Sequence, residues 1–212
     1  MRHYPVSLVL SDKLCLVVGG GRVAERKVNS LLDCGAKVQM VCPELTPNLD
    51  KMAALGKINY RRGTYQTSDL AGVFLVVCAV NNKEVNQRIA ADCAERNLLV
   101  NVVDQPDLCN FIVPAIMRRG DLTMAVSTGG KSPLLARHFR KELEKGYGVQ
   151  YEEYLDLLGE LRQKVIHQVT DEEKKMEILA GMVSPEILVL VQENRLDLIK
   201  ERLNSAYRDG GT

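Results

Sequence analysis

The chain is poor in the residues on which several classes of function depend. Its three histidines, His3, His138 and His167, are far apart, so a histidine-built metal site is not expected. None of its six cysteines (Cys15, Cys34, Cys42, Cys78, Cys93, Cys109) forms a C-x-x-C pair. Most fall in predicted strands and helices, as buried small apolar residues of a reducing cytosol do, and a disulfide framework or zinc site is not expected. An excess of charge is also missing. Lys and Arg number 28 against 27 Asp and Glu, for a net charge of +1, which excludes a strongly basic nucleic-acid binder on global grounds. No apolar run approaches the roughly 18 residues of a bilayer span. The polar N-terminal stretch enters a strand too soon to be a signal peptide. No Ser–His–acid arrangement, internal repeat or low-complexity segment is found, so nucleophilic hydrolysis has no support. The expectation is a cytoplasmic protein with neither a membrane nor a nucleic-acid partner.

What is present begins with Lys13-Leu14-Cys15-Leu16-Val17-Val18-Gly19-Gly20-Gly21-Arg22-Val23-Ala24. An apolar strand runs into a glycine turn and then directly into a helix, the order required for a dinucleotide pyrophosphate site. Gly19 permits the tight turn, Gly21 lets the backbone approach the pyrophosphate, and small Ala24 lets the helix pack closely on the sheet. Amides of Arg22, Val23 and Ala24 then face the phosphates at the positive end of the helix dipole. Helix Val23–Cys34 stops at Gly35, and strand Lys37–Cys42 follows. Pro43 and Glu44 come about 20 residues after the glycines, where an acceptor for the adenosine ribose belongs. Either Glu44 accepts from the ribose, or Pro43 presents backbone to the adenosine while Glu44 begins the next turn. No arginine at this point marks a 2′-phosphate, so NAD is favoured over NADP.

Strand and helix patterns alternate to about Val103. A helix is expected near Pro47–Leu55, a strand near Ile58–Arg61, a buried strand at Val73–Ala79, a helix at Asn81–Asn97 and a strand at Leu98–Val103. Such alternation gives a Rossmann-type parallel sheet with ligands outside the carboxyl ends of its strands. The glycine turn, Pro43, Asn81 and Asp104 then share one edge. Beyond Asp104, Cys109–Pro114, Ala115–Arg118 and Leu122–Ser127 read as short strands. Ser132–Glu144 reads as a helix with Ser132 as N-cap and Pro133 at its first position. From Tyr151 only helices are expected, after a hinge at Gly146-Tyr147-Gly148. The domains are thus 1–113, a Rossmann domain; 114–148, a small α+β segment; and 149–212, a helical domain.

Three stretches together resemble one family. Gly19-Gly20-Gly21-Arg22-Val23-Ala24-Glu25-Arg26-Lys27 resembles the G-G-G-x-V-A-x-R-K opening of the precorrin-2 dehydrogenases of siroheme synthesis. Asn101-Val102-Val103-Asp104 with Phe111-Ile112-Val113-Pro114-Ala115 resembles the N-V-x-D…F-x-x-P-A segment of that family. Ala125-Val126-Ser127-Thr128-Gly129-Gly130-Lys131-Ser132-Pro133-Leu134-Leu135-Ala136-Arg137 resembles its S-T-x-G-x-S-P-x-x-A-R segment. The resemblance covers essentially the whole chain. It implies NAD-dependent dehydrogenation of precorrin-2 to sirohydrochlorin, a homodimer built through 114–148, and in some members insertion of ferrous iron to give siroheme.

The residues alone leave Asp104 with two roles, a base beside the nicotinamide or a turn residue before Gln105-Pro106. Its match to the catalytic aspartate of the family assigns it to catalysis. The implied tetrapyrrole is a polycarboxylate and requires cations, preferably guanidinium groups. Lys131 and Arg137 lie inside the third motif, and Ser127 and Thr128 offer hydroxyls, Thr128 where some relatives carry serine. Asn81 is a candidate for the nucleotide. His138 is either a proton shuttle or, more commonly for such a residue, a partly buried packing histidine. A second hypothesis is an NAD-sensing regulatory module without catalysis.

Overall fold

A computed structural model describes residues 3–210. The chain divides into two compact units between Val113 and Pro114. In the first, five parallel strands stand in the order β3-β2-β1-β4-β5. They are β1 (Leu14–Val18), β2 (Lys37–Cys42), β3 (Asn59–Arg62), β4 (Leu75–Cys78) and β5 (Leu99–Val102). The order runs outward both ways from β1, so the topological switch point lies between β1 and β4, where a crevice opens at the carboxyl edge.

Successive residues of β1 feed opposite faces. Cys15 and Val17 pack with Ala24, Val28 and Leu31 of α1 (Arg22–Leu32) and Leu49 of α2 (Pro47–Ala54). Leu16 and Val18 pack with Ile89 and Cys93 of α3 (Lys83–Glu95) and with Tyr65 and Leu70. Burial on both faces is why β1 and β4 are unbroken apolar runs. α1 ends two residues earlier than its apolar pattern implied, and Gly35 takes φ +74° in the turn beyond. α3 begins at Lys83, because the Asn82 side chain accepts from the Val85 amide and caps it.

One expected strand is absent. Cys109–Pro114 is β-rich in composition but follows a 3-10 turn (Pro106–Leu108) as irregular chain. The Asn110 side chain acts here in place of a partner strand. It accepts from the Val100 amide at 2.8 Å and donates to the Leu98 carbonyl at 2.8 Å. The Cys109 thiol accepts from the Val102 amide at 3.1 Å. The outer edge of β5 is thereby covered by these side chains together with the Asn110 amide, which donates to the Val100 carbonyl at 3.1 Å.

The second unit opens with an antiparallel hairpin, β6 (Ala115–Arg119) and β7 (Leu122–Val126), against which α4 (Pro133–Gly146) packs. Ser132 caps α4 by accepting from Leu135 at 3.3 Å. Four helices follow: α5 (Gln150–Gln168), α6 (Glu172–Gly181), α7 (Pro185–Gln192) and α8 (Leu196–Gly210). Tyr151, Tyr154, Leu161 and Val165 of α5 form one core with Ile178, Met182, Ile187, Val191, Ile199 and Leu203. The Tyr154 hydroxyl donates to the Met182 carbonyl at 2.7 Å, and burial pushes this phenol up to about 12. The bend at Gly146-Tyr147-Gly148 is pinned from the hairpin, since Arg119 Nε donates to the Tyr147 carbonyl at 3.0 Å. The segments expected at 114–148 and 149–212 fall in this one unit. Residues 1, 2, 211 and 212 of the expected domains lie outside the described residues.

Candidate functional site: a dinucleotide cleft

A cleft of about 480 Å³ opens at the carboxyl edge of the sheet, between the ends of β1, β2 and β4. Gly19, Gly20, Pro43, Glu44 and Asn81 all line it. Its floor is built by backbone contact. Gly19 has φ +122°, and a Cβ there would overlap the Ala79 carbonyl oxygen. A Cβ on Gly20 would overlap the Glu44 carbonyl oxygen. The Thr46 amide donates to the Gly20 carbonyl at 3.0 Å, so the chain leaving β2 runs directly against the glycine turn. The sequence motif treats position 20 as free, whereas the structure makes it the tightest of the three glycines.

Gly21 differs. Its φ is −85°, it is the N-cap of α1, and a Cβ there would meet nothing within 4 Å. No side chain caps this end of α1. In contrast, α2, α3, α4, α6 and α7 are capped by Thr46, Asn82, Ser132, Asp171 and Ser184. The amides of Arg22, Val23 and Ala24 therefore lack a cap, and open space lies at Gly21. An anionic group fits both features. The Ala24 methyl is fully buried against the sheet, so this residue contributes close packing, and Val23 is half-buried.

At the end of β2 the two candidates separate. The Pro43 carbonyl already accepts from Arg62 Nε at 3.2 Å and from the Tyr60 hydroxyl at 3.3 Å. The exposed Glu44 carboxylate is the remaining acceptor at this strand end. The sequence, read linearly, finds no arginine here, but β3 brings Arg62 to Pro43. The far wall, Gly63–Tyr65, is held by two carboxylates. Asp69 is buried and accepts from Arg61 Nε at 2.7 Å. Asp92 accepts from Tyr65 and Thr67, each at 2.8 Å. Burial raises the Asp92 carboxyl, but those hydroxyls, with Arg88 and Arg96, outweigh it and hold it below the usual range. Asn86, fully buried, donates to the Val80 carbonyl at 3.2 Å and accepts from the Cys78 thiol, fixing the Ala79–Asn82 turn. Its signal in the sequence is a polar residue on the inner face of α3, three before Ile89.

Asp104 lies two residues beyond β5 on the same sheet edge and outside the cleft lining. It has φ +59°, a left-handed conformation suited to the turn role, and an exposed carboxylate. Among the described residues no hydrogen bond or ion pair is recorded for that carboxylate. Arg22 lies in a neighbouring cleft with Glu25, Arg26, Thr46 and Asn48.

The remaining candidates belong to the second unit. Ser127 Oγ accepts from the Gly129 amide at 3.2 Å, and Thr128 Oγ1 accepts from the Ser132 amide at 3.1 Å. Both hydroxyls shape the loop between β7 and α4, and no bond donated by either is recorded among the described residues. Lys131 and Arg137 are exposed, and no ion pair is recorded for either among the described residues. Arg140, by contrast, is paired with Glu144 at 2.5 Å. His138 is exposed and lies tilted against Phe139 at 6.0 Å, so it is not a buried packing histidine. Among the described residues no group of three or more His, Cys, Asp or Glu could hold a metal ion, and no helix is long and apolar enough to cross a membrane. None of the six cysteines is in a disulfide among the described residues.

A doubly wound parallel sheet, a glycine turn at its switch point and an acceptor at the end of β2 define a dinucleotide-binding Rossmann-type protein. Comparison with known proteins agrees and narrows the class. Residues 6–115 match the family described as "Putative NAD(P)-binding", and residues 119–146 match the one described as "Sirohaem biosynthesis protein central". The chain belongs to this NAD(P)-binding family and carries the sirohaem biosynthesis segment directly after it. It is 38% identical over 192 residues to a siroheme synthase of Methylobacillus flagellatus, covering 89% of this chain and 41% of that protein. It is 36% identical over 210 residues to a siroheme synthase of Thioalkalivibrio sulfidiphilus, covering 99% and 43%. The chain thus spans less than half the length of these relatives. Among solved structures it is similar to SirC, a precorrin-2 dehydrogenase, with 29% identity and a TM-score of 0.77 over 94% of this chain and 100% of that one.

Proposed function

We propose that this chain oxidises precorrin-2 to sirohydrochlorin with NAD⁺, a step of siroheme biosynthesis. The observation that carries the proposal is the likeness to SirC across the full length of that dehydrogenase. The siroheme synthase relatives and the central segment at 119–146 support it independently.

Bound NAD⁺ supplies the hydride acceptor. The chain's own residues do the rest. Gly19 and Gly20 keep the turn against Ala79 and Glu44, and the uncapped first turn of α1 presents amides to the pyrophosphate. Glu44 accepts from the adenosine ribose, and Asn81 lines the opposite wall. Asp104, whose exposed carboxylate has no recorded partner among the described residues, takes the proton that leaves the tetrapyrrole as the hydride departs. Ser127, Thr128, Lys131 and Arg137 bind substrate carboxylates, Lys131 and Arg137 through cationic groups not committed elsewhere. Exposed Leu134, Leu135 and Phe139 on α4 support a homodimer through 114–148.

Purified protein mixed anaerobically with precorrin-2 should form NADH and sirohydrochlorin only when NAD⁺ is present. NAD⁺ binding without any NADH would reverse the assignment in favour of a nucleotide sensor. Ferrous iron added afterwards reads the chelatase activity that the family resemblance implies, with iron as substrate.

A further inference from the structure

The second cleft, about 680 Å³, adjoins the first across the glycine turn. One wall is the start of α1, with Arg22 in its first turn and Arg26 in its second. The other is the start of α2, with Thr46 and Asn48. The two clefts are joined by the chain leaving β2, where Glu44 packs on Gly20 and the Thr46 amide bonds the Gly20 carbonyl. A ribose held by Glu44 would turn its 2′ substituent toward this connection, the place where an NADP site gathers its extra phosphate.

Much of the equipment for such a phosphate is here: Arg22, Arg26, a threonine hydroxyl, an asparagine amide, and Arg62 at Pro43. A single carboxylate occupies it. Glu25 accepts from the Thr46 hydroxyl at 2.5 Å and from the Asn48 amide at 3.0 Å. Those two donors, with Arg22 nearby, hold the Glu25 carboxyl below the usual carboxylate range, so it is ionised at neutral pH. We infer that Glu25 is a specificity-determining residue that excludes a 2′-phosphate and makes the dinucleotide site selective for NAD. It consumes the two neutral donors, offsets the arginines, and sets a negative charge where the phosphate would lie.

This rests on the dinucleotide reading of the main cleft, and the test keeps the two separable. The probes are ADP-ribose and its 2′-phosphate, which differ only in that group and undergo no redox step. Titration calorimetry should show the unaltered chain binding ADP-ribose more tightly. Glu25→Gln retains an oxygen for Thr46 and removes the charge. It should narrow the preference by about tenfold, mostly by tightening the 2′-phosphate form. Asp50→Asn, which removes a charge from the first turn of α2 outside this cleft, should leave the ratio unchanged.

If Glu25→Gln weakens both nucleotides equally, Glu25 merely braces α1 against α2 and the inference is overturned. If it fails to fold, Arg22→Gln gives the second reading. The ratio should then widen severalfold, and an unchanged ratio overturns the inference. Failure of the unaltered chain to bind either nucleotide would instead overturn the dinucleotide site itself.

Discussion

Adjacent glycines at the turn should give opposite lesions when each is replaced by alanine. At Gly20 a methyl would overlap the Glu44 carbonyl oxygen and sit 2.7 Å from Cys42 Sγ and 3.0 Å from the Glu44 carbonyl carbon. Two of these three obstacles are backbone, so β2 and the turn must part. Overpacking of this kind costs about 1–3 kcal/mol. Loss of the Thr46 amide bond to the Gly20 carbonyl adds about 1 kcal/mol. The lower entropy of the unfolded alanine chain returns about 0.4–1 kcal/mol. A net loss of about 1–3.5 kcal/mol should lower the unfolding temperature of the Rossmann-type unit by about 4–15 °C. Gly21→Ala meets no obstacle, at φ −85°. Its weaker N-capping and its unfolded-state gain nearly cancel, leaving stability within about 1 kcal/mol of the parent. Its methyl, however, fills the open space that the proposed function gives to the pyrophosphate, and NAD⁺ affinity should fall at least about tenfold. Scanning calorimetry without nucleotide and NAD⁺ titration at 25 °C separate the two. Unaltered NAD⁺ affinity in Gly21→Ala would refute the placement of the pyrophosphate. An unaltered unfolding temperature in Gly20→Ala would refute the packing argument.

Other outcomes follow from the same geometry. Asn86→Leu leaves the Val80 carbonyl without its side-chain donor and should cost about 1–3 kcal/mol, with weaker NAD⁺ binding because the Ala79–Asn82 turn loosens. Denaturant titration measures the first effect and calorimetry the second. Asp92, with its folded pKa held below the unfolded one, contributes stability in full above about pH 4 and loses it as pH falls through the folded value. Unfolding temperature should therefore drop more steeply below about pH 4 in the parent than in Asp92→Asn; parallel curves would contradict the bonds to Tyr65 and Thr67. Burial pushes the thiols of Cys15, Cys78 and Cys93 up to about 11, so at pH 8 about one in a thousand is thiolate. Native protein should leave these three unalkylated, as peptide mapping would report. Arg137→Ala should weaken precorrin-2 binding and spare NAD⁺; equal losses in both titrations would indicate a folding defect.

The legible parts of the fold were those in which one local pattern has one physical meaning. The bounds of β2, Lys37–Cys42, follow from a mostly apolar stretch with two valines between a glycine stop and a proline. Ser132-Pro133 marks the start of α4 because cap chemistry is local. Cys109–Pro114 misled for the converse reason. Its apolar residues suit a strand, but what forms there depends on Asn110 reaching back to Leu98 and Val100, a pairing invisible to periodicity. At the site, the glycine turn, Pro43, Asn81 and Asp104 could be placed on one edge from the alternation of elements alone. The roles of Gly20, Asn86, Arg62 and the Glu25–Thr46–Asn48 cluster could not be read, because each acts on a residue from another element. Likewise the turn beneath Asp104 is a local matter, whereas the freedom of its carboxylate emerges only with its surroundings.

The central claim is tested most directly by a single-turnover reaction of the purified chain with NAD⁺ and anaerobically prepared precorrin-2, following NADH and sirohydrochlorin together. The account predicts that the two products appear in equal amounts and at one rate, and that Asp104→Asn abolishes that rate while NAD⁺ still binds. Sirohydrochlorin formed without matching NADH, or an Asp104→Asn chain turning over at the parent rate, would contradict it.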